Sequence, residues 1–311
     1  MKKVAYCVSL ILLLALLAAG CGTSAPPTAP PAAGSGTPAA PPASGTPATP
    51  AAPADAAIVV VSREDGSGTR GAFIELFGIE QREADGSRKD LTTKEAIIAN
   101  QTEVMLVSVA GEANSIGYVS LGSLNNTVKA VSIDGAAATV ANVKSGAYSI
   151  SRPFLIATKG APSGPAADFT GYILSPAGQE IVESSHYIPV EADASYQSSQ
   201  PTGKITIAGS SSVTPVMEKL VEAYNAVNPN ADIEIQMSDS SAGLTAAIEG
   251  TCDIAMASRE LKETEAAELT PLKIAIDGIA VIVNQGNPVA ELSKDQVKAI
   301  FTGDALRWSE I

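Results

Sequence analysis

Histidine and tryptophan each occur once in the 311 residues, cysteine three times, and aromatic residues amount to 4%. The lone histidine, His186 in Ser184-Ser185-His186-Tyr187-Ile188-Pro189, has no Gly-x-Ser-x-Gly elbow to serve, so serine hydrolysis lacks both its base and its nucleophile turn. Gly66-x-Gly68 is not read as a dinucleotide fingerprint, and no P-loop lysine accompanies it. Cys7 falls in an N-terminal leader and Cys21 directly follows it, which leaves Cys252 alone. No internal disulfide and no cysteine-based metal site can be built from one thiol, and Cys252 reads as a small buried hydrophobe. Basic residues are short as well. Twenty Lys and Arg against 33 Asp and Glu give a formal charge of −13, and no basic cluster offers nucleic acid a footprint. The chain is therefore read as a protein that is not an enzyme, carries no cofactor or metal and binds no nucleic acid.

What is present begins with an address. Met1-Lys2-Lys3 is basic, Val8 to Ala19 is apolar, and Ala18-Ala19-Gly20-Cys21 ends the run, so residues 1–20 form a secretory signal too short to span a membrane. The ending resembles a bacterial lipoprotein box, with Leu17 one place earlier than usual. The resemblance implies that Cys21 is lipidated and holds the protein on the extracytoplasmic face of the cell membrane. Residues 21–57 are almost wholly Ala, Pro, Gly, Ser and Thr, with Asp55 their only charge. Such a composition predicts a disordered tether reaching roughly 100 Å at about 3.1 Å per residue.

Beyond it, three short apolar runs end in Ser/Gly clusters that open helix-like segments: Ile58–Val61 into Asp65–Thr69, Ile205–Ala208 into Gly209–Ser212, and Ile233–Met237 into Ser240–Gly243. A helix start carries orphan N–H groups and the positive end of the dipole, which suits an anion. Further helices are predicted over 69–78, 92–100, 166–174, 214–227 and 294–301, and strands over 115–119, 128–133, 154–157, 275–276 and 279–283. Alternation of this kind predicts an α/β fold with mostly parallel pairing.

Several segments resemble the phosphate-binding proteins of bacterial high-affinity phosphate ABC transporters. They are Ser62–Phe73, Ala208–Pro215, Ser240–Gly243, Ala257–Leu261, Ile276–Val281, Ile116–Ser120, Ser151–Pro153 and Leu174–Gln179. The likeness covers nearly all of 58–311 and implies a two-lobed periplasmic binding protein-like (type II) fold that delivers inorganic phosphate to a membrane-embedded permease. The order differs from that family, in which the Gly-Ser-Ser-Ser loop comes first and the Phe301–Trp308 segment runs into the one that is here Ile58 onward. The chain thus resembles a circular permutant, with 191–203 joining the ancestral termini; a fragment of a tandem array is the alternative. One lobe would take 146–284 and the other 58–145 plus 285–311, in a monomer.

The resemblance points to Arg63, Ser67, Gly68, Thr69, Ser211, Ser212, Ser240 and Ser241 as phosphate ligands. Arg63 offers a planar fork, and charge-assisted bonds of that type contribute roughly 1.5–3 kcal/mol each. Pairing of Arg63 with Glu64 or Asp65, and simple helix capping by each serine, are the other readings. Where better-known members carry an aspartate after the Ala-Ser pair, this chain has Arg259, so the acceptor for a phosphate O–H passes to Asp277, with Asp239 next. Arg70 and Arg259 are further candidate donors. A binding protein for another oxyanion, or a signalling or structural lipoprotein on the same fold, remains open.

Overall fold

A computed structural model describes residues 55–83 and 88–311; the signal, Cys21 and the tether as far as residue 54 lie outside the described residues. The strands are β1 (Val59–Arg63), β2 (Glu80–Arg82), β3 (Arg88–Asp90), β4 (Ile97–Ala99), β5 (Ser115–Ser120), β6 (Val128–Ala130), β7 (Ser132–Ile133), β8 (Ser151–Thr158), β9 (Ile188–Pro189), β10 (Gly203–Ser210), β11 (Ala231–Ser238), β12 (Ile254–Ala257), β13 (Thr270–Asn284) and β14 (Glu291–Leu292). The helices are α1 (Gly68–Leu76), α2 (Thr102–Gly111), α3 (Val140–Ser145), α4 (Gly164–Leu174), α5 (Pro176–Ser184), α6 (Thr214–Val227), α7 (Ser240–Glu249), α8 (Glu263–Ala266) and α9 (Lys294–Thr302). Among the described residues no helix is long and apolar enough to cross a membrane.

One sheet runs β11-β10-β12-β8-β13-β5-β1-β4, with β6 and β9 added along β13. β1 is parallel to β4 and β5, and β10 to β11 and β12. The pairing is not mostly parallel, however: β8 and β13, in the middle, oppose their neighbours. The reason lies in β13, a single strand where Asp277-Gly278 reads in sequence as a break. Its ladder passes through Asp277↔Arg152 and Gly278↔Ser151 on β8, then continues as Ile279↔Ser120 on β5. At Gly278 the strand changes partner, and a Cβ there would press on Val143 and Leu121.

That switch separates the buried apolar residues. One core holds Val61, Phe73, Met105, Tyr118, Ile150, Ile279–Val283 and Phe301. A second holds Phe154, Phe169, Ile207, Met217, Tyr224 and Met256, and a smaller third cluster, with Leu155, Leu244 and Cys252, lies under α7. α6 shows why its sequence folds as read: Val216, Leu220 and Tyr224 share one buried face, and Pro215 stands in the first turn.

The predicted helix over 92–100 is wrong. That stretch makes a turn at Lys94-Glu95, with Ala96 N–H donating to Thr93 O, and then β4, because consecutive β-branched Ile97 and Ile98 pair with Val61 and Ser62 on β1. The helix begins two residues later, as α2. The ordered body also starts before residue 58: Ala57 bridges Arg307, and Trp308 N–H donates to Ala56 O at 3.1 Å.

Candidate functional site

Three helix starts predicted from the sequence follow the C-terminal ends of β1, β10 and β11, the edge where open α/β sheets present ligand sites. After β1, Ser67 Oγ accepts the Arg70 N–H at 3.3 Å and caps α1. After β11, Asp239 Oδ1 accepts the Ala242 N–H at 2.8 Å and caps α7. After β10, Ser210 carries the turn into α6: its carbonyl accepts the Thr214 hydroxyl and its Oγ the Ser212 N–H. A fourth start, that of α2, enters the same place with Thr102.

Arg63, 2% exposed, lies among these ends. Its Nε and Nη2 donate to the Glu64 carboxylate at 2.8 and 2.7 Å, and Nε also reaches Ala99 O. Nη2 donates to Ser211 Oγ at 3.1 Å and Nη1 to Thr102 Oγ1 at 3.4 Å. Thr69 Oγ1 is 2.8 Å from Ser212 Oγ, and Thr102 Oγ1 is 3.2 and 3.3 Å from the Ser211 and Ser212 hydroxyls. On the other side of Gly68, Ser258 Oγ lies 3.0 Å from Ser210 Oγ and 3.4 Å from Ser240 Oγ, and the Ser258 N–H donates to Ser240 Oγ at 3.1 Å. A Cβ on Gly68 would collide with the Ser240 and Ser258 hydroxyls, so glycine is what lets this helix start touch the other strand ends. The result is a buried cluster of hydroxyls and one guanidinium, drawn from both main cores. A groove of about 970 Å³, lined by Ser67, Arg70, Arg152, Ser241 and Arg259 among others, runs along one side.

Of the residues named from the sequence, Arg63, Gly68, Thr69, Ser211, Ser212 and Ser240 are brought together. Ser67 is buried beside them as a cap. Arg63 does pair with Glu64, yet keeps its Nη1 and Nη2 edge toward Thr102 and Ser211. Ser241 is turned aside: its N–H donates to Gly66 O at 3.2 Å and its Oγ accepts from Arg259. Arg259 is held by Glu265 at 2.7 Å. Arg70 binds Asp65, Asp90 and the Arg63 carbonyl. Asp239 accepts at Oδ1 as the cap of α7.

Asp277 is not a free acceptor. Its Oδ1 accepts from Ser120 Oγ and Leu121 N–H at 2.8 and 3.1 Å, and its Oδ2 from Arg152 Nε and Nη2 at 3.1 and 3.0 Å. Burial pushes its carboxyl up, opposed by the Arg152 charge and these hydrogen bonds. Thr102, Ser210 and Ser258 join the cluster although they are not among the candidate ligands named from the sequence. Ser258 lies inside the Ala257–Leu261 motif, whereas Thr102 follows directly on the stretch 92–100 whose strand is non-local. Gly71 does complete a G-x-G-x-x-G spacing from Gly66, but the bare Cα of Gly68 serves here to let the Ser240 and Ser258 hydroxyls approach α1.

A family model described as a PBP superfamily domain matches residues 44–177 and 194–310. Phosphate-binding protein PstS 2 of Streptococcus agalactiae serotype V (strain ATCC BAA-611 / 2603 V/R) is 55% identical over 256 residues, 82% of this chain and 87% of that protein. PstS 2 of Streptococcus pneumoniae serotype 4 (strain ATCC BAA-334 / TIGR4) is 45% identical over 260 residues, covering 83% and 89%. Among solved structures, a phosphate-binding protein of a phosphate ABC transporter from Streptococcus pneumoniae TIGR4 superposes with a TM-score of 0.66 at 44% identity, over 82% of this chain and 100% of that one.

Proposed function

This chain belongs to the PBP superfamily and, within it, to the phosphate-binding proteins, and we propose that it captures inorganic phosphate and hands it to the permease of an ABC transporter. The observation that carries the reading is the convergence of α1, α2, α6 and α7 starts on Arg63 and the buried hydroxyls of Thr69, Ser211, Ser212 and Ser240. A tetrahedral dianion loses water on entering and needs many donors in return. Rotatable hydroxyls, the guanidinium and the amides of Gly68 and Thr69 in the first turn of α1 supply them. Glu64 orients Arg63 by holding its other edge. Capture and release without chemistry is the activity proposed, since solute binding is what this family does.

The fold is the two-lobed α/β architecture of the superfamily. We assign one lobe to 146–284 and the other to 58–145 plus 285–311, except that Ile150 and the Ile279–Val283 half of β13, which pairs with β5, pack in the core of the second of these. We propose that the segment order is native, a reading that the 256-residue match to PstS 2 supports, and that circular permutation relates it to the order of the wider family; the closeness this requires is there, Ile58 N–H donating to Leu306 O at 2.8 Å. Lipidation of Cys21 anchors a monomer on the extracytoplasmic face of the membrane; Cys21→Ser should release it to the soluble fraction, and unchanged membrane retention would remove the anchor. Calorimetry of the leaderless protein with phosphate tests the main reading, with saturable heat and a raised melting temperature expected. No heat at millimolar phosphate overturns it.

One observation favours a broader ligand range. Glu64 and Asp277 have both carboxylate oxygens committed, and Asp239 caps α7. Hydroxyls accept from a protonated anion or donate to an unprotonated one, so sulfate belongs in the same titration.

A further inference from the structure

We infer that Asp277 and Arg152 are positioning residues: they fix Ser258, and through it Ser240 and Ser210, against the anion seat. The inference rests on the phosphate reading above and gives Asp277 a role other than ligand. Asp277 and Arg152 face each other across the β13–β8 ladder, one pair before β13 changes partner from β8 to β5. Their side chains are 0% and 2% exposed. Removing two charges from water is costly, and a buried pair of this kind is weak evidence of a gain in stability. Its geometry gives it another use.

The Asp277 carboxylate takes four hydrogen bonds: from Ser120 Oγ, the Leu121 N–H, and Arg152 Nε and Nη2. It therefore holds the guanidinium plane in one orientation. Arg152 Nη1 is left to donate to the Ser258 carbonyl at 3.0 Å. Ser258 in turn donates its N–H to Ser240 Oγ and sets its own hydroxyl between Ser210 and Ser240. A displacement of Arg152 is thus passed through one residue, Ser258, to two hydroxyls of the cluster. The Asp277 end is tied to the start of the Leu121 turn in the first core, and the Ser258 end to β12 in the second. The pair links the crossing point of the sheet to the side of the seat opposite Arg63.

The test is a double-mutant cycle read in phosphate affinity, with thermal stability measured on the same samples. Asp277→Asn and Ser258→Ala should each weaken phosphate by about tenfold, and the double variant should lose much less than the product of the two, because Ser258→Ala removes the hydroxyl that Asp277→Asn displaces. Asp168→Asn is the control. Asp168 is a buried carboxylate held by Ser198, Ser199, Tyr196 and Tyr224, remote from the cluster. It should lower the melting temperature and leave affinity within about twofold. Should Asp277→Asn fail to fold, Arg152→Lys carries the same measurement, since it keeps a cation for Asp277 but cannot also reach Ser258. A lowered melting temperature with unchanged affinity, or fully additive losses in the double variant, would overturn the inference. Wild-type protein that ignores phosphate would instead overturn the reading beneath it.

Discussion

The core around Val61, Phe73 and Phe301 is closed by both ends of the described chain, whereas the core around Ile207, Met217 and Tyr224 is filled from within residues 154–275. Each contributes part of the anion cluster: Arg63, Thr69 and Thr102 come from the first, and Ser210–Ser212, Ser240 and Ser258 from the second. Residues 285–311 contribute nothing to the cluster, yet the first part of it stands on them. Phe301 meets Phe73 with ring centroids 4.7 Å apart, and Thr93 N–H donates to Phe301 O. The difference separates the residues that would touch an anion from those that make the touching possible.

The largest expected effect breaks this comparison outright. Deleting 285–311 removes Val297, Ile300 and Phe301, each 0% exposed, and Trp308 at 9%. At about 1.5–3 kcal/mol per buried side chain, the loss is roughly 6–12 kcal/mol, the size of a whole domain's stability. Phosphate binding should vanish although no cluster residue is gone. Hydrogen exchange should show β1 and β5 unprotected while β10 and β12 keep their protection; equal loss in both would show that the cores are one cooperative unit.

Arg63→Ala sharpens the comparison by acting on function within the first core. It should weaken phosphate by at least about 2 kcal/mol in calorimetry, the cost of leaving a desolvated anion without its fork partner. Its neighbour Ser62 faces the other way, with Oγ 2.9 Å from the Tyr118 hydroxyl. Ser62→Ala should cost about 1 kcal/mol in denaturant unfolding and spare affinity. Similar small affinity losses from both would place Arg63 outside the seat.

These contrasts also mark what was legible. Strand, hydroxyl-rich turn and helix start form a local pattern, so α1, α6 and α7 and most cluster residues could be read from the sequence. α2 could not, since the edge pairing of Ile97 and Ile98 with β1 decides residues 92–100 and is non-local. Asp277 reads as a turn residue until Arg152, 125 positions away, takes its carboxylate. The commitments of Arg259 to Glu265 and of Arg70 to Asp90 are likewise set by packing that no spacing reveals.

Within the second core, the junction over 191–203 supplies a smaller effect. Ser198 and Ser199 are tied to Asp168 on α4, and Asn228 donates to Pro201 O. Burial raises the Asp168 carboxyl, but hydrogen bonds from Ser198, Ser199, Tyr224 and Tyr196 outweigh it and hold the group below its ordinary value. The stability this gives is complete above the unfolded-state pKa of about 3.9 and is lost as the pH falls through the lower folded value. Asp168→Asn should cost about 1–3 kcal/mol at pH 7 and flatten acid unfolding in that window. Relinking Ile311 to Ile58 should preserve affinity if the new cut falls before Tyr196, and lose stability if it falls among Ser198 to Pro201.

The smallest effect needs no change of sequence and reports the second half of the comparison alone. Cys252, 8% exposed, packs with Leu244 and Ala247 under α7. Burial, with the Asp253 carboxylate beside it, pushes its thiol up to about 11. Thiolate is the reactive form, so at pH 8 an aromatic disulfide reagent should modify Cys252 far more slowly than an unfolded cysteine of pKa about 8.5. In leaderless protein lacking Cys21 this is the only thiol that remains. Its rate should therefore report opening around α7. If the two cores unfold separately, deletion of 285–311 should leave that rate nearly unchanged, within a few-fold, while the first core loses its exchange protection. Acceleration to the rate of unfolded chain would mean that α7, and with it Ser240, depends on residues 285–311 as fully as Arg63 does.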